Sequence, residues 1–140
     1  MGEYFLRGGS RLSGELRIGG SKNAALPILA AAVLNGSESV IHNCPRIRDT
    51  EISLRILDSL GCKTAMEEHT TIIKASADKW VVPPSLSGEM RSSICFAGCL
   101  LGRFGKVDIS YPGGCEFFCG TEAIGPARMY HGARSPHDGP

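Results

Sequence analysis

The run at residues 23–34, NAALPILAAAVL, constrains the fold more than any other feature of this sequence, because it is apolar on nearly every side. Alanine and leucine favour helix, and a helix that is apolar all round has to be buried. Pro27 fits such a helix only close to its start, where a missing N–H leaves no bond unmade. Ser21 predicts the N-cap and Gly36 a left-handed C-cap. The run therefore predicts a buried helix.

The segments around this helix predict an α/β fold. Predicted strands occupy residues 12–18, 39–43, 62–66, 70–75 and 106–111, and further predicted helices occupy 50–60, capped by Asp49 or Thr50, and 87–101. In two places a buried helix leads through a glycine turn into a strand. The two occurrences lie about seventy residues apart, which indicates repeated α/β units with buried helices.

Composition excludes several classes of function. Hydrophobic residues make up 42% of the chain and the net charge is +1, so the chain is globular and has no general attraction to nucleic acid or to a membrane surface. The N-terminus lacks the pattern of a signal peptide, and the longest apolar run is too short to span a bilayer. We expect a cytoplasmic protein whose six cysteines are free thiols.

Lys22 and Asn23 form the first candidate site, where a glycine turn leads into the buried helix. The start of a helix presents unpaired N–H groups and a partial positive charge, so anions bind there readily. Lysine adds a full charge and asparagine adds amide donors. The alternative is a surface lysine beside a capped helix.

Cys115 is the second candidate, on a Pro-Gly-Gly-Cys loop that directly follows a predicted strand. Two glycines let such a loop change conformation, and basic groups nearby would activate the thiol if Lys22 and Arg91 converge on it. The alternative for Cys115 is a turn with an incidental cysteine. Arg91 lies near the start of a predicted apolar helix, and the alternative for this residue is a solvated or snorkelling side chain.

The other cysteines and the glycine turns give weaker signals. Cys95 and Cys99 stand four residues apart on a predicted helix, and Cys115 and Cys119 repeat that spacing. Zinc ribbons use tighter pairs, so Cys95 and Cys99 are predicted to be small core residues. The glycine turns match neither a Walker loop nor a Rossmann fingerprint.

Four segments together resemble the UDP-N-acetylglucosamine enolpyruvyl transferases: GEL at 14–16, GSKNAALP at 20–27, MRSS at 90–93 and PGGC at 112–115. The resemblance covers about residues 3 to 116 and implies an inside-out α/β barrel of repeated units, incomplete here. It implies that residues 1–20 form a strand region belonging to a second domain. Residues 21–116 would form the first part of the catalytic domain, and 117–140 an irregular, non-matching tail.

The resemblance also implies a reaction and its site residues. The 3-hydroxyl of UDP-N-acetylglucosamine would add to C2 of phosphoenolpyruvate, and the intermediate would expel phosphate to leave an enolpyruvyl ether. Lys22 and Asn23 would hold phosphoenolpyruvate, and Arg91 would contact the nucleotide-sugar. Cys115 would be the general acid and the thiol that fosfomycin alkylates. No metal ion and no cofactor are implied.

The pattern of that family ends near Glu116. The Arg-Pro-(Ile/Val)-Asp-Leu-His run that would follow is absent. We therefore expect a truncated or frame-disrupted copy, or a gene fragment, that is inactive and marginally stable alone. Two alternatives stay open: a 3-phosphoshikimate 1-carboxyvinyltransferase, which lacks the cysteine loop, and a non-enzymatic remnant that retains the anion-binding turn.

Overall fold

A computed structural model describes residues 4–9, 11 and 13–110 of the chain. The loop that carries Cys115 and the predicted tail at 117–140 lie outside these residues. The described elements are α1 (Lys22–Asn35), β1 (Glu38–Ile41), α2 (Arg48–Ser59), β2 (Lys63–Glu67), β3 (Thr70–Lys74), α3 (Pro84–Ser87) and α4 (Ile94–Phe104), with a 3₁₀ turn at Arg91–Ser93. No helix in this part of the chain is both long and apolar enough to cross a membrane.

Helix α1 is the helix that the apolar run predicts, with two differences in detail. Gly36 ends it in the left-handed conformation, with φ 67°, as predicted. Ser21 occupies the N-cap position but makes no capping bond with its side chain, and Pro27 lies in the second turn rather than the first. Ile28 and Leu34 are half exposed, so the described residues leave one apolar face of α1 uncovered.

Helix α2 packs along α1 and begins two residues before its predicted start. The buried hydroxyl of Thr50, in the first turn of α2, bonds to the segment that precedes the helix. It accepts a hydrogen bond from the Ile47 N–H at 3.2 Å and lies 2.8 Å from the Pro45 carbonyl oxygen. The segment before α2 is thereby held to the helix by a threonine within it. The prediction of an N-cap at Asp49 or Thr50 was wrong, because Ile47 occupies that position.

The three strands form an antiparallel sheet in the order β1-β3-β2. All three were predicted, and no bound differs from the prediction by more than two residues. Glu68, with φ 49°, makes the tight turn between β2 and β3. Ile73 in the central strand is fully buried against the helices, so the sheet covers one side of the core.

Three sequence predictions fail within the described residues. The described residues of the segment 12–18 form no strand, because a strand needs a hydrogen-bonding partner. Leu16 and Ile18 of this segment are exposed. The helix predicted over 87–101 is interrupted at Met90, whose backbone is extended. The strand predicted over 106–111 is reduced to a single parallel bridge between Val81 and Asp108.

The core is centred on the contact between α1 and α4. Its largest fully buried side chains are Phe96 and Leu100 from α4, Leu29 from α1 and Ile56 from α2. Helix α1 packs against both α4 and α2, and its contact with α2 is the arrangement on which the site depends.

Arg103 near the end of α4 joins three elements. Its guanidinium donates a hydrogen bond to the Val33 carbonyl oxygen in the last turn of α1 and lies 3.5 Å from the Ala75 carbonyl oxygen after β3. The last carbonyls of a helix carry a partial negative charge and have no partner within the helix. Arg103 therefore ties the C-terminal end of α1 to α4 and to the sheet.

We expect Arg103→Met to lower the free energy of unfolding by about 1.5–3 kcal/mol, because it removes charge-assisted bonds from half-buried carbonyls. Urea denaturation followed by circular dichroism measures the loss. Lys106→Met is the matched control, since Lys106 Nζ lies 3.5 Å from the centroid of the Trp80 ring at an exposed position. That contact contributes about 0.5–1 kcal/mol. Equal losses in the two variants would contradict the role of Arg103.

Candidate functional site

The start of α1 is fixed by a close backbone approach at Gly20. A Cβ at this position would overlap the Asn43 carbonyl oxygen and lie 3.2 Å from Pro45 Cδ. No side chain fits there, so glycine is required for the loop before α2 to pack against the turn that leads into α1. The same loop is held on its other side by Thr50.

Lys22 is the first residue of α1, and its side chain is half exposed. Its Nζ lies 2.5 Å from Asp49 Oδ2, in the first turn of α2. The side chain of Asp49 is 25% exposed, so it is the better buried partner of the pair. This ion pair connects the N-terminal ends of two neighbouring helices.

Asn23 follows in the first turn of α1 and is exposed. The N-cap side chain makes no capping bond, so the first N–H groups of α1 have no partner within the helix. Pro27, four residues later, has no N–H to offer the Asn23 carbonyl. Lys22 and Asn23 thus present a charge, an amide and backbone donors at one helix end.

Arg91 begins the 3₁₀ turn before α4 and is exposed. The residues on either side of it are anchored. Met90 is buried with its Sδ 3.8 Å from the Ser53 hydroxyl of α2, and the buried Ser93 hydroxyl donates to the Ser87 carbonyl at 3.0 Å. The backbone of Arg91 is therefore fixed by buried neighbours, while its side chain is exposed.

Ion pairs connect α2 both to the start of α1 and to the segment before Arg91. Asp49 pairs with Lys22, while its neighbour Arg48 pairs with Glu89 at 3.7 Å, two residues before Arg91. Glu89 also pairs with Arg55, further along α2, at 3.5 Å. The start of α1 therefore meets the first turn of α2, while the segment before Arg91 lies along α2 between Arg48 and Arg55.

Sequence reasoning did not single out Asp49 and Glu89, which form the ion pairs beside the candidate residues. The sequence indicates Asp49 only as a helix cap, because acidic residues are common in the first turn of a helix. Its partner Lys22 lies far away along the chain, and no local spacing predicts such a contact. Only the packing of α2 along α1 brings the two charges together.

The described cysteines have the character of core residues. Burial raises the pKa of the Cys62 thiol against the opposing influence of the Arg103 guanidinium, and burial together with Cys95 raises the pKa of Cys99. A raised pKa leaves less of the nucleophilic thiolate. Cys95 and Cys99 are half-buried and pack against the core, as predicted. Among the described residues, no three His, Cys, Asp or Glu side chains are grouped so as to share a metal ion.

Comparison with known proteins gives consistent matches. A family model described as EPSP synthase (3-phosphoshikimate 1-carboxyvinyltransferase) matches residues 6–123. The UDP-N-acetylglucosamine 1-carboxyvinyltransferase 2 of Caldanaerobacter subterraneus subsp. tengcongensis is 44% identical over 117 residues, which cover 83% of this chain and 28% of that protein. UDP-N-acetylglucosamine 1-carboxyvinyltransferase 1 of Symbiobacterium thermophilum is 47% identical over 129 residues, covering 88% of this chain and 28% of that protein.

A solved structure agrees with these relatives. The enolpyruvyl transferase NikO from Streptomyces tendae matches with a TM-score of 0.63 and 31% identity, covering 72% of this chain and 24% of that chain. The fold predicted from the sequence is therefore confirmed for the described residues. The chain spans about 28% of the length of the curated relatives it matches.

Proposed function

The chain belongs to the EPSP synthase family of enolpyruvyl transferases, and on that premise we propose that it supplies the phosphoenolpyruvate-binding part of an enzyme acting on UDP-N-acetylglucosamine. The observation that carries the proposal is the 44% identity, over 83% of this chain, to a UDP-N-acetylglucosamine 1-carboxyvinyltransferase. The enzyme is a transferase of the cytoplasm, and its product enters peptidoglycan synthesis.

The proposed reaction moves a three-carbon group. The sugar 3-hydroxyl loses its proton as its oxygen bonds to C2 of phosphoenolpyruvate, and the C2–C3 double bond opens as C3 takes up a proton. The tetrahedral intermediate then breaks its C2–O bond to phosphate and loses a proton from C3, which restores the double bond. The products are an enolpyruvyl ether and inorganic phosphate, so atoms balance without any redox step.

Lys22 and Asn23 are proposed to hold phosphoenolpyruvate. They stand at the uncapped start of α1, where backbone N–H groups and the helix dipole favour an anion. The Lys22 ammonium adds a charge that opposes the negative charge on the phosphate, which grows as the C2–O bond breaks. The site therefore suits both the bound substrate and the departing phosphate.

Arg91 is proposed to contact the nucleotide-sugar, and Cys115 to donate the proton to C3. The exposed guanidinium of Arg91, on its packed base beside α2, is suited to the negatively charged diphosphate of UDP-N-acetylglucosamine. A free thiol has a pKa near working pH, which suits a group that gives and regains a proton in one cycle. Cys115 is also the proposed target of fosfomycin.

Calorimetric titration of the 140-residue chain tests the proposal, with phosphoenolpyruvate, UDP-N-acetylglucosamine and 3-phosphoshikimate as separate ligands. We expect heat of binding from the first two, and tighter binding of phosphoenolpyruvate once UDP-N-acetylglucosamine is present. 3-Phosphoshikimate is the matched control, because the description of the matching family names it as the acceptor. Preference for 3-phosphoshikimate would assign the other acceptor, and absence of phosphoenolpyruvate binding would contradict the proposal.

A further inference from the structure

The ion pair between Lys22 and Asp49 gives Asp49 a role in the proposed site. We propose that Asp49 is a positioning residue, which holds the Lys22 ammonium where phosphoenolpyruvate binds. The inference rests on the proposed function and deepens it. Asp49 would act through Lys22 and would not itself touch the substrate.

The position of Lys22 creates the need for such a partner. It is the first residue of α1, where the helix dipole is positive, and a lysine there is repelled by its own helix end. Its long side chain also has many rotamers that point into solvent. Without a partner, the ammonium would spend little time beside the N–H groups that bind the anion.

Asp49 is well placed to supply that partner. A carboxylate is favourable in the first turn of α2, since the positive end of that helix dipole lies there. The turn itself is firmly held, because the Ser53 hydroxyl donates to the Asp49 carbonyl at 2.9 Å and the Thr50 hydroxyl binds the preceding loop. Asp49 therefore offers a fixed point to which the flexible lysine attaches.

The ion pair leaves Lys22 able to bind substrate. An ammonium group has three N–H donors, and the single contact with Asp49 Oδ2 leaves two of them for a phosphate or carboxylate. Lys22 is half exposed while Asp49 is three-quarters covered, so the solvent-facing side of the pair is the lysine. An incoming anion meets the ammonium before it meets the carboxylate.

Asp49 also repels an anion, and this effect opposes positioning. The repulsion is weakened because Lys22 neutralises the carboxylate at 2.5 Å and because water screens charges at a half-exposed site. The cost of ordering a free lysine during binding is not reduced by screening. Positioning is the larger effect, and it fixes the expected sign.

The test combines ligand binding with a measurement that needs no ligand. In calorimetric titrations of the 140-residue chain, we expect Asp49→Asn to weaken phosphoenolpyruvate binding about fivefold and Asp49→Glu to restore most of the loss. In a Lys22→Gln background, Asp49→Asn should cause no further loss of affinity, because Asp49 without its lysine only repels the anion. Acetylation followed by mass spectrometry should show Lys22 reacting faster in Asp49→Asn than in the unsubstituted chain, with Lys63 as the unchanged reference.

The outcomes separate this inference from the function on which it rests. If the unsubstituted chain does not bind phosphoenolpyruvate, the proposed function is contradicted. If that chain binds and Asp49→Asn binds equally well or more tightly, the inference alone is overturned. An unchanged Lys22 acetylation rate would overturn it too. So would a full Asp49→Asn effect in the Lys22→Gln background, which would indicate a structural role unrelated to Lys22.

Discussion

Replacing Lys22 with glutamine should weaken phosphoenolpyruvate binding by the 140-residue chain roughly tenfold to 150-fold, the equivalent of losing about 1.5–3 kcal/mol of charge-assisted hydrogen bonding. Glutamine keeps the length of a polar side chain and removes the charge, so the loss measures the ammonium and not the space it fills. Affinity should also become less sensitive to salt, because one cation no longer attracts the ligand. Titration calorimetry at two ionic strengths measures both effects.

Lys63→Gln is the matched control for this prediction. Lys63 begins β2 and is exposed, and its neighbour Thr64 bonds to Asp58 near the last turn of α2. Asp58 lies nine residues after Asp49 on α2, so this end is about 14 Å along the helix from Asp49. Removing the same charge there should leave affinity nearly unchanged. A Lys22→Gln variant that binds as well as Lys63→Gln would place the anion away from the start of α1.

The parts of the fold that were predicted are those with a local cause. Alanine-rich apolar sequence identifies α1, and two short segments joined by a polar turn identify β2 and β3 to within one residue. Gly36 was correctly predicted to end α1, because few other residues adopt its positive φ. In each case the preference of a few neighbouring residues agrees with the final structure.

The parts that were missed depend on distant contacts. The helix predicted over 87–101 breaks because Met90 is drawn into a contact with Ser53 of α2 and Ser93 bonds back to Ser87. Neither interaction is visible in the helical periodicity of the segment. The strand predicted within residues 12–18 has the right alternation, but pairing decides whether an alternating segment becomes a strand, and the described residues offer it no partner.

The candidate site divides in the same way. Lys22 and Asn23 could be named as candidates from the sequence because a helix start is a local feature with known chemistry. The contact of Asp49 with Lys22 could not be predicted from the sequence, because it arises only when α1 and α2 pack together. The ligand contacts assigned to Lys22, Asn23 and Arg91, and the proton transfer assigned to Cys115, stay predictions that the binding experiments address.

Replacing Phe96 with alanine should have the largest effect on stability of any change considered for this chain. Phe96 is 1% exposed and is the largest of the fully buried side chains, at the contact between α4 and the rest of the core. Truncating such a residue costs about 3–5 kcal/mol, through lost burial and the cavity that remains. Small domains have only about 5–15 kcal/mol of stability in total. Urea denaturation should show a much lower midpoint or no cooperative transition.

Ile94→Ala on the same helix is the matched control for Phe96→Ala, because Ile94 is 42% exposed and leaves no enclosed cavity. It should cost much less, and Phe96→Leu should fall between the two. The result bears on the site as well, since α4 packs against α1, the helix that carries Lys22. If Phe96→Ala unfolds with the same midpoint as Ile94→Ala, then burial of Phe96 does not stabilise the core on which α1 packs.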